Sequence, residues 1–210
     1  MFINVRESVF RFAAPALLLL ATLAATPPAP AMSVQAPTFA ELVAEAATVA
    51  RARVTDVSSR AVPGENGTTT IKTFVNFTTI TALKGEPPAE FTLAFLGGEA
   101  DGERWTIPGM PTFAAGDEEF VFTTENGRNT ICPLVGAMHG RYRVLTDRVA
   151  KRRYVARDNF TPLTSPEQVA KPMADNVARI AQDVPSALSP EEFENQISAQ
   201  LRQSSAHTQR

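Results

Sequence analysis

The chain has 210 residues, of which 44% are hydrophobic and 20% charged, and its formal net charge is −2. That length suits one domain with an appendage, and 13 phenylalanines provide enough apolar surface for a core, which excludes wholesale disorder. A single cysteine excludes an intramolecular disulfide framework and any cysteine-based zinc or iron–sulfur cluster. The small net charge excludes a whole-chain attraction to nucleic acid or to an anionic membrane.

The N-terminus has the pattern of an export signal. Arg6 and Arg11 precede an uncharged run at residues 12–25, which is shorter than the roughly 20 residues needed to span a bilayer. Ala29 and Ala31 then supply the small-x-small pattern that a signal peptidase cleaves. We therefore expect a signal peptide over residues 1–31, and we favour it over an uncleaved membrane helix. The mature chain is expected to be periplasmic or extracellular, with no membrane span.

The first elements of the mature chain are predicted to be one helix and two strands. Thr38 and Glu41 have the spacing of a capping box, which predicts a helix that ends near residue 47. The apolar period then changes to two, so residues 49–57 predict a half-buried strand. Residues 68–83 are rich in β-branched and aromatic side chains, which predicts a second and longer strand.

Alternating apolar residues between turn sequences predict five further strands. These are residues 90–96, 118–124, 130–135, 141–145 and 153–157. An Asn-Gly pair at 126–127 predicts a hairpin between the second and third of them. Pro133 places the third at a sheet edge or a bulge. Strands without intervening helices predict a mainly β fold, either a small antiparallel barrel or a sandwich.

The last part of the chain has a helical pattern. Ser165 and Ser189 are each followed by proline and then, three residues on, by Gln or Glu, which predicts capped helix starts. The second of these helices carries an apolar stripe, formed by Phe193, Ile197 and Leu201. We expect one domain over residues 32–160 and a helical extension over residues 161–210. The tail of the extension, from residue 203, is expected to be frayed.

The chain contains few of the residues that common catalytic sites need. Cys132 and His139 could form a nucleophile and base, but Cys132 lies between Ile131 and Pro133, where a cysteine usually packs as a small apolar residue. The chain has no Gly-rich phosphate loop, no GxSxG sequence and no HExxH sequence. We therefore expect a protein that is not an enzyme and that has no catalytic residue and no cofactor.

An acidic, glycine-rich loop at residues 97–103 is the candidate for partner binding. Its alternating Glu99, Asp101 and Glu103 could bind calcium, but their spacing does not match an EF-hand, and a hydrated turn is the preferred interpretation. A glycine-rich loop followed by Trp105 is typical of a recognition tip. For Trp105 itself, core packing is the preferred interpretation.

A run of five cations at residues 148–157 contains no acidic residue. Such a run could bind nucleic acid, but the expected export, the acidic total and the flanking Asp147 and Asp158 disfavour that interpretation. A solvated hairpin or an edge strand protected by charge is the preferred interpretation. The expected partner is therefore an exported protein or an envelope component, and not a nucleic acid.

Three segments together resemble the netrin-like module, whose best-known members are the tissue inhibitors of metalloproteinases. The segments are residues 47–57, 80–85 and 115–123, and the end of the chain at 188–201 is similar to that of exported bacterial proteins that carry such a domain. The resemblance implies an OB-like barrel, the five-stranded oligonucleotide/oligosaccharide-binding fold. Family members inhibit proteases through an N-terminal cysteine on the catalytic zinc. Here the expected mature chain begins at Met32 without a cysteine, so that mechanism and its residues do not transfer.

These observations favour an exported, non-catalytic binding module that recognises a protein or a surface ligand through loops of the barrel. The candidate contact residues are Glu99, Asp101, Glu103 and Trp105. Three alternatives stay open: a netrin-like protease inhibitor that works without the cysteine mechanism, a hydrolase that uses carboxylates, and a structural role in the envelope.

Overall fold

The fold is taken from a computed structural model. It describes residues 35–64, 67–124, 131–171 and 183–208. The expected signal peptide with Ala29 and Ala31, and the expected Asn-Gly turn at 126–127, lie outside these residues. Within the four described ranges, no helix combines the length and the apolar character that a membrane crossing requires.

The described chain is mainly β, with two α-helices. In chain order the elements are α1 (Phe39–Glu45), β1 (Thr48–Pro63), β2 (Thr69–Lys84), β3 (Glu90–Leu96), β4 (Gly98–Ala100), β5 (Glu103–Trp105), β6 (Glu118–Thr123), β7 (Arg141–Thr146), β8 (Arg153–Arg157) and α2 (Pro190–Thr208). Short 3₁₀ helices lie at Ala137–Gly140, Pro166–Ala170 and Val184–Ser186. The predicted mainly β fold is confirmed, as is each of the strands predicted around β1, β2, β3, β6, β7 and β8.

Six strands form one antiparallel sheet in the order β3-β2-β1-β6-β7-β8, and β4 pairs with β5 in a separate hairpin. A closed barrel is not found, because no ladder in the described residues joins the edge strands β3 and β8. The outer edge of β8 is occupied by the C-terminal part of the chain: the Val155 amide donates to the Leu188 carbonyl at 2.8 Å, and the Val155 carbonyl accepts from the Leu163 amide at 2.9 Å. These bonds use the groups that a closing strand would need.

Two sequence predictions about the strands are corrected. Residues 131–135 form no strand, and only a single bridge links Thr123 to Leu134. Pro133 has no amide hydrogen to donate, although its carbonyl accepts from the Thr124 amide at 2.8 Å. The predicted loop at 97–103 contains the β4–β5 hairpin instead of irregular chain.

Two of the three predicted helix starts are confirmed. The Thr38 hydroxyl accepts from the Glu41 amide at 3.2 Å, and the Glu41 carboxylate accepts from the Thr38 amide at 2.8 Å. Ser189 and Glu192 repeat this reciprocal pair at 3.2 and 2.7 Å. Each α-helix therefore begins where its local sequence predicts.

The third predicted start is wrong as a capped helix start, whereas the frayed tail from residue 203 stays a prediction. Ser165 makes no capping bond, and Pro166–Ala170 is a 3₁₀ helix. The Gln168 side chain, expected to reach back to Ser165, instead accepts from the Thr164 amide at 3.0 Å and donates to the Thr164 hydroxyl at 2.6 Å. At the other end of the chain, α2 continues to Thr208.

The sheet has a hydrophobic core on each face. The core on the helix side is formed by α1, α2 and the inward side chains of the last three strands. Its largest fully buried members are Leu42, Phe120, Phe122, Tyr142, Leu163, Phe193 and Ile197. The predicted α2 stripe is thus confirmed for Phe193 and Ile197, and Leu201 packs against the same core in a partly buried position.

The second core lies on the opposite face of the sheet. It contains Ala50, Ala52 and Val54, which lie on one side of β1, and it continues through Phe77 of β2 and Phe95 of β3. We call it the groove-side core, because a groove beside the β4–β5 hairpin opens onto it.

Candidate functional site

An open groove of about 390 Å³ lies between the β4–β5 hairpin and the end of the long β1–β2 ribbon. Its floor includes Val57, Ser59, Thr73 and Phe95, and its far wall is the segment at 106–113. We call this feature the hairpin groove. It brings together strands and a loop that are distant in sequence, and most of its lining is apolar.

Two glycines explain why the hairpin lies close against the ribbon. Gly97 and Gly98 have φ values of +96° and +128°, a conformation that L side chains rarely adopt. A Cβ on Gly98 would lie 2.4 Å from the hydroxyl oxygens of both Ser59 and Thr73. The Gly97 amide also donates to the Ile71 carbonyl at 2.8 Å. Glycine at both positions therefore allows the chain to leave β3 and fold back over β1 and β2.

The predicted partner-binding residues all lie on this hairpin. Glu99 is on β4, Asp101 is in the turn, and Glu103 and Trp105 are on β5. Glu99 and Trp105 line the groove, whereas Asp101 and Glu103 are exposed. The expectation that Trp105 packs in the core is wrong, because the residue remains 37% exposed and its indole nitrogen donates to the Glu103 carboxylate at 3.3 Å.

The three carboxylates of the hairpin do not come together as one cluster of metal ligands. Across the described parts of the chain, no three His, Cys, Asp or Glu side chains come together in a way that could hold a metal ion. Glu99 instead forms an ion pair with Arg104, its cross-strand neighbour. Neither Asp101 nor Glu103 pairs with a Lys or Arg side chain within those same parts, so the exposed face of the hairpin carries negative charge.

The far wall of the groove is held by a buried arginine that the sequence pattern alone did not single out. The Arg141 guanidinium donates to both oxygens of Glu119 at 3.1 and 2.6 Å and to Asp158 at 2.8 Å. It also donates to the Thr112 carbonyl and lies 4.0 Å from the centre of the Phe113 ring. Arg141 thereby connects the segment at 106–113 to strands β6 and β7.

Glu119 and Arg141 are both fully buried. Burial raises the pKa of Glu119, although Arg141 and Arg143 act in the opposite direction. Glu119 lies in the strand predicted at 118–124, and it shares its side of β6 with Val121, which belongs to the groove-side core. The position of Glu119 on the same side of the strand as Val121 is the sequence signal that this carboxylate is buried and needs a cation in a neighbouring strand.

The basic run at 148–157 includes an edge strand, β8, as predicted, but the prediction that its cations are solvated is wrong for Arg152 and Arg157. Arg152 donates to the carbonyls of Val184, Pro185 and Ala187. Arg153 pairs with Glu118, and Arg157 is buried and donates to the Lys171 carbonyl at 2.6 Å. The bonds from Arg152 and Arg157 attach the C-terminal part of the chain to β8.

Cys132 and His139 were considered as a nucleophile and a base. Cys132 packs against the groove-side core, and burial raises the pKa of its thiol to about 11. The thiol is therefore protonated at neutral pH, which is the form that does not act as a nucleophile. His139 is buried in the 3₁₀ helix Ala137–Gly140.

Comparison with known proteins gives no family for this chain. The sequence matches no protein-family model and no curated protein. Its function is therefore inferred from the hairpin groove and from the chemistry of the residues around it.

Proposed function

We propose that this chain is an exported, non-catalytic binding module that recognises a protein or surface ligand through the hairpin groove. The observation that carries the proposal is the groove itself, an apolar recess with an exposed tryptophan and a charged hairpin at its rim. Binding sites are typically concave and mostly apolar, with a few polar groups that fix orientation.

The position of Trp105 supports recognition over a purely structural role. A tryptophan that is 37% exposed leaves apolar area in contact with water, and a partner would gain free energy by covering it. Partly exposed tryptophans next to a recess are frequent hot spots in protein interfaces. In addition, the buried Arg141 network keeps the opposite wall in place, so the recess is formed before a ligand arrives.

Export and a relationship to the netrin-like module are further parts of the proposal. Export is supported by the charged start, the apolar run and the Ala-x-Ala sequence of residues 1–31. The OB-like relationship is supported by the antiparallel order of β1, β2 and β3 and by the three register shifts that bend β1 against β2. No observation favours protease inhibition or carboxylate hydrolysis over simple binding.

The test is capture from the exported fraction of the source cells. The full chain, expressed with a C-terminal tag so that any leader can be processed, is used alongside Trp105→Ala and Val149→Ala. Val149 is 93% exposed on the β7–β8 turn and serves as the control for loss of an exposed apolar side chain. Captured components are quantified by mass spectrometry.

We expect at least one component to be held by the native chain and by Val149→Ala but not by Trp105→Ala. Because Trp105 is the only tryptophan, titration with that purified component should also change the tryptophan emission of the native chain. A set of captured components that is the same for Trp105→Ala as for the native chain would show that the groove is not the recognition surface.

A further inference from the structure

We propose that the hairpin groove binds an extended peptide segment in which a large apolar side chain is next to a lysine or arginine. This inference rests on the proposed function, because it takes the groove to be the recognition surface. It adds the chemical class of the ligand. This class is inferred from the volume of the groove, from the hydrogen bonds that its floor hydroxyls already make, and from the charge of its rim.

The groove volume fits side chains better than a cofactor. A volume of about 390 Å³ is close to the lower end of the range for ligand pockets, roughly 300–1,000 Å³. The recess is also open to solvent along the hairpin. A chain that passes over it and inserts one or two side chains suits this shape.

The floor favours an apolar insertion. The Thr73 hydroxyl donates to the Gly97 carbonyl at 2.8 Å, and it lies 2.9 Å from the Ser59 hydroxyl, which can donate to it. These floor hydroxyls thus satisfy one another, and the neighbouring Val57, Phe95 and Phe113 offer only apolar surface. A sugar ring placed against these three residues would leave the hydroxyl groups that face them without partners, at a cost in free energy. An apolar side chain meets no such cost.

The rim favours a cation next to that insertion. The Trp105 indole N–H donates to the Glu103 carboxylate, so a carboxylate and an aromatic face lie next to each other on the hairpin. Asp101 adds a second carboxylate on the same hairpin, whereas Glu99 and Arg104, which both line the groove, neutralise each other. An ammonium or guanidinium group above the indole would gain both a cation–π contact and an ion pair. The same negative charge repels an anionic membrane surface, which makes a peptide the favoured partner.

The experiment selects binders from a display library of short random peptides on the tagged full chain. Enriched peptides are then synthesised and measured on the native chain and on three variants: Trp105→Ala, Glu103→Gln and Val149→Ala. Circular dichroism checks that each variant is folded. Glu103→Gln changes an exposed side chain without changing its shape, so it keeps the test valid if Trp105→Ala perturbs the hairpin.

We expect the enriched peptides to contain Lys or Arg beside Phe, Leu, Ile, Met or Tyr. Their affinity should fall at least about thirtyfold with Trp105→Ala and about fivefold with Glu103→Gln. It should also weaken as salt is added, and it should be unchanged with Val149→Ala. Replacement of the cation in the peptide by glutamine should reproduce the loss seen with Glu103→Gln.

Two results would overturn the inference. The first is a set of peptides whose affinity depends on Trp105 but which lack a cation, or whose affinity is unchanged by Glu103→Gln. That result would refute the ligand class while leaving the groove as the recognition surface. Failure to enrich any peptide, or enrichment of peptides that bind Trp105→Ala equally well, would refute a peptide ligand. The capture experiment would then decide separately whether the groove binds anything else.

Discussion

Arg141 and Glu119 illustrate how a single pair of residues can define the interior. Moving two charges out of water costs several kcal/mol per ion, and their attraction offsets this only when the geometry is good and the remaining hydrogen bonds are made. The Arg141 guanidinium meets that condition through Glu119, Asp158 and the Thr112 carbonyl. The same bonds keep one wall of the hairpin groove in place.

We therefore expect Arg141→Met to be much more harmful than its loss of contacts implies, because it leaves Glu119 buried without its hydrogen-bonded cation and with Arg143 only at 3.9 Å. The free energy of unfolding should fall by about 3–5 kcal/mol, measured by urea denaturation. The double variant Arg141→Met/Glu119→Leu should recover part of that loss, since both charges of this buried pair are then removed. Arg148→Met, which makes the same substitution at an exposed site, should change stability by less than about 0.5 kcal/mol. A loss in the double variant as large as in Arg141→Met would contradict this account.

At the scale of an element, α2 is held at its start by local hydrogen bonds and by ion pairs to the sheet. Ser189 and Glu192 form the capping box, and Arg51 of β1 lies 3.1 Å from both Glu191 and Glu194. The bond from the Ser189 amide lowers the pKa of Glu192, and the Ser189 hydroxyl adds to the effect. The start of this helix is therefore sensitive to pH.

The sign of that sensitivity is set by the lowered pKa. Because the folded-state pKa of Glu192 lies below the ordinary value of 4.5, its contribution is present above that value and is lost as the pH falls through the folded-state pKa. Glu192→Gln should therefore be less stable than the native chain near neutral pH, and the difference should shrink below roughly pH 4. Urea denaturation at several pH values measures it. A difference that stays constant with pH would show that the carboxylate charge is not involved.

A companion change tests the hydroxyl of the same capping box. Ser189→Ala should lower the free energy of unfolding by about 1 kcal/mol, while Ser205→Ala, on the exposed surface of the same helix, should be nearly neutral. Urea denaturation of the two variants measures both effects, and equal losses would show that the cap contributes nothing specific.

The two serine-proline sequences show where local pattern stops being sufficient. Ser189 begins a 19-residue α-helix, and Ser165, with the same local signals, precedes a 3₁₀ helix. The difference lies in the apolar residues that come after each serine. Phe193 and Ile197 recur at helical spacing and are fully buried, whereas Pro166–Ala170 places only Val169 in the core. Burial of an apolar stripe, not the cap alone, decides whether a helix extends.

At the scale of the molecule, strand positions could be predicted from sequence because alternation is local, but strand order could not. The barrel expectation required β3 and β8 to pair, and the edge of β8 is instead bonded to Leu163 and Leu188. In the candidate site, too, some residues could be predicted from the sequence and others could not. Its hairpin residues were found from glycine, acidic and tryptophan content, whereas the groove depends on Ser59, Thr73 and Phe113, which are brought together only by the fold.

Because one sheet carries a core on each face, a substitution that destabilises one core should also lower the stability of the other. Phe193 is fully buried in the helix-side core, with its ring centre 5.0–6.3 Å from those of Phe39, Phe120, Phe122 and Tyr142. Phe193→Ala should lower the free energy of unfolding by about 3–5 kcal/mol. Because β1 supplies Val49 to that core and Ala50, Ala52 and Val54 to the groove-side core, unfolding should remain a single transition.

Two probes of urea denaturation can test this coupling in Phe193→Ala. Far-ultraviolet circular dichroism reports on the whole chain, and the emission of Trp105, the only tryptophan, reports on the hairpin on the opposite face. Both midpoints should move to lower urea concentration together and by the same amount. If the Trp105 midpoint stayed at its native value while the dichroism midpoint fell, the two faces would be unfolding independently. The hairpin groove would then keep its shape, and its affinity for a ligand, without the helices.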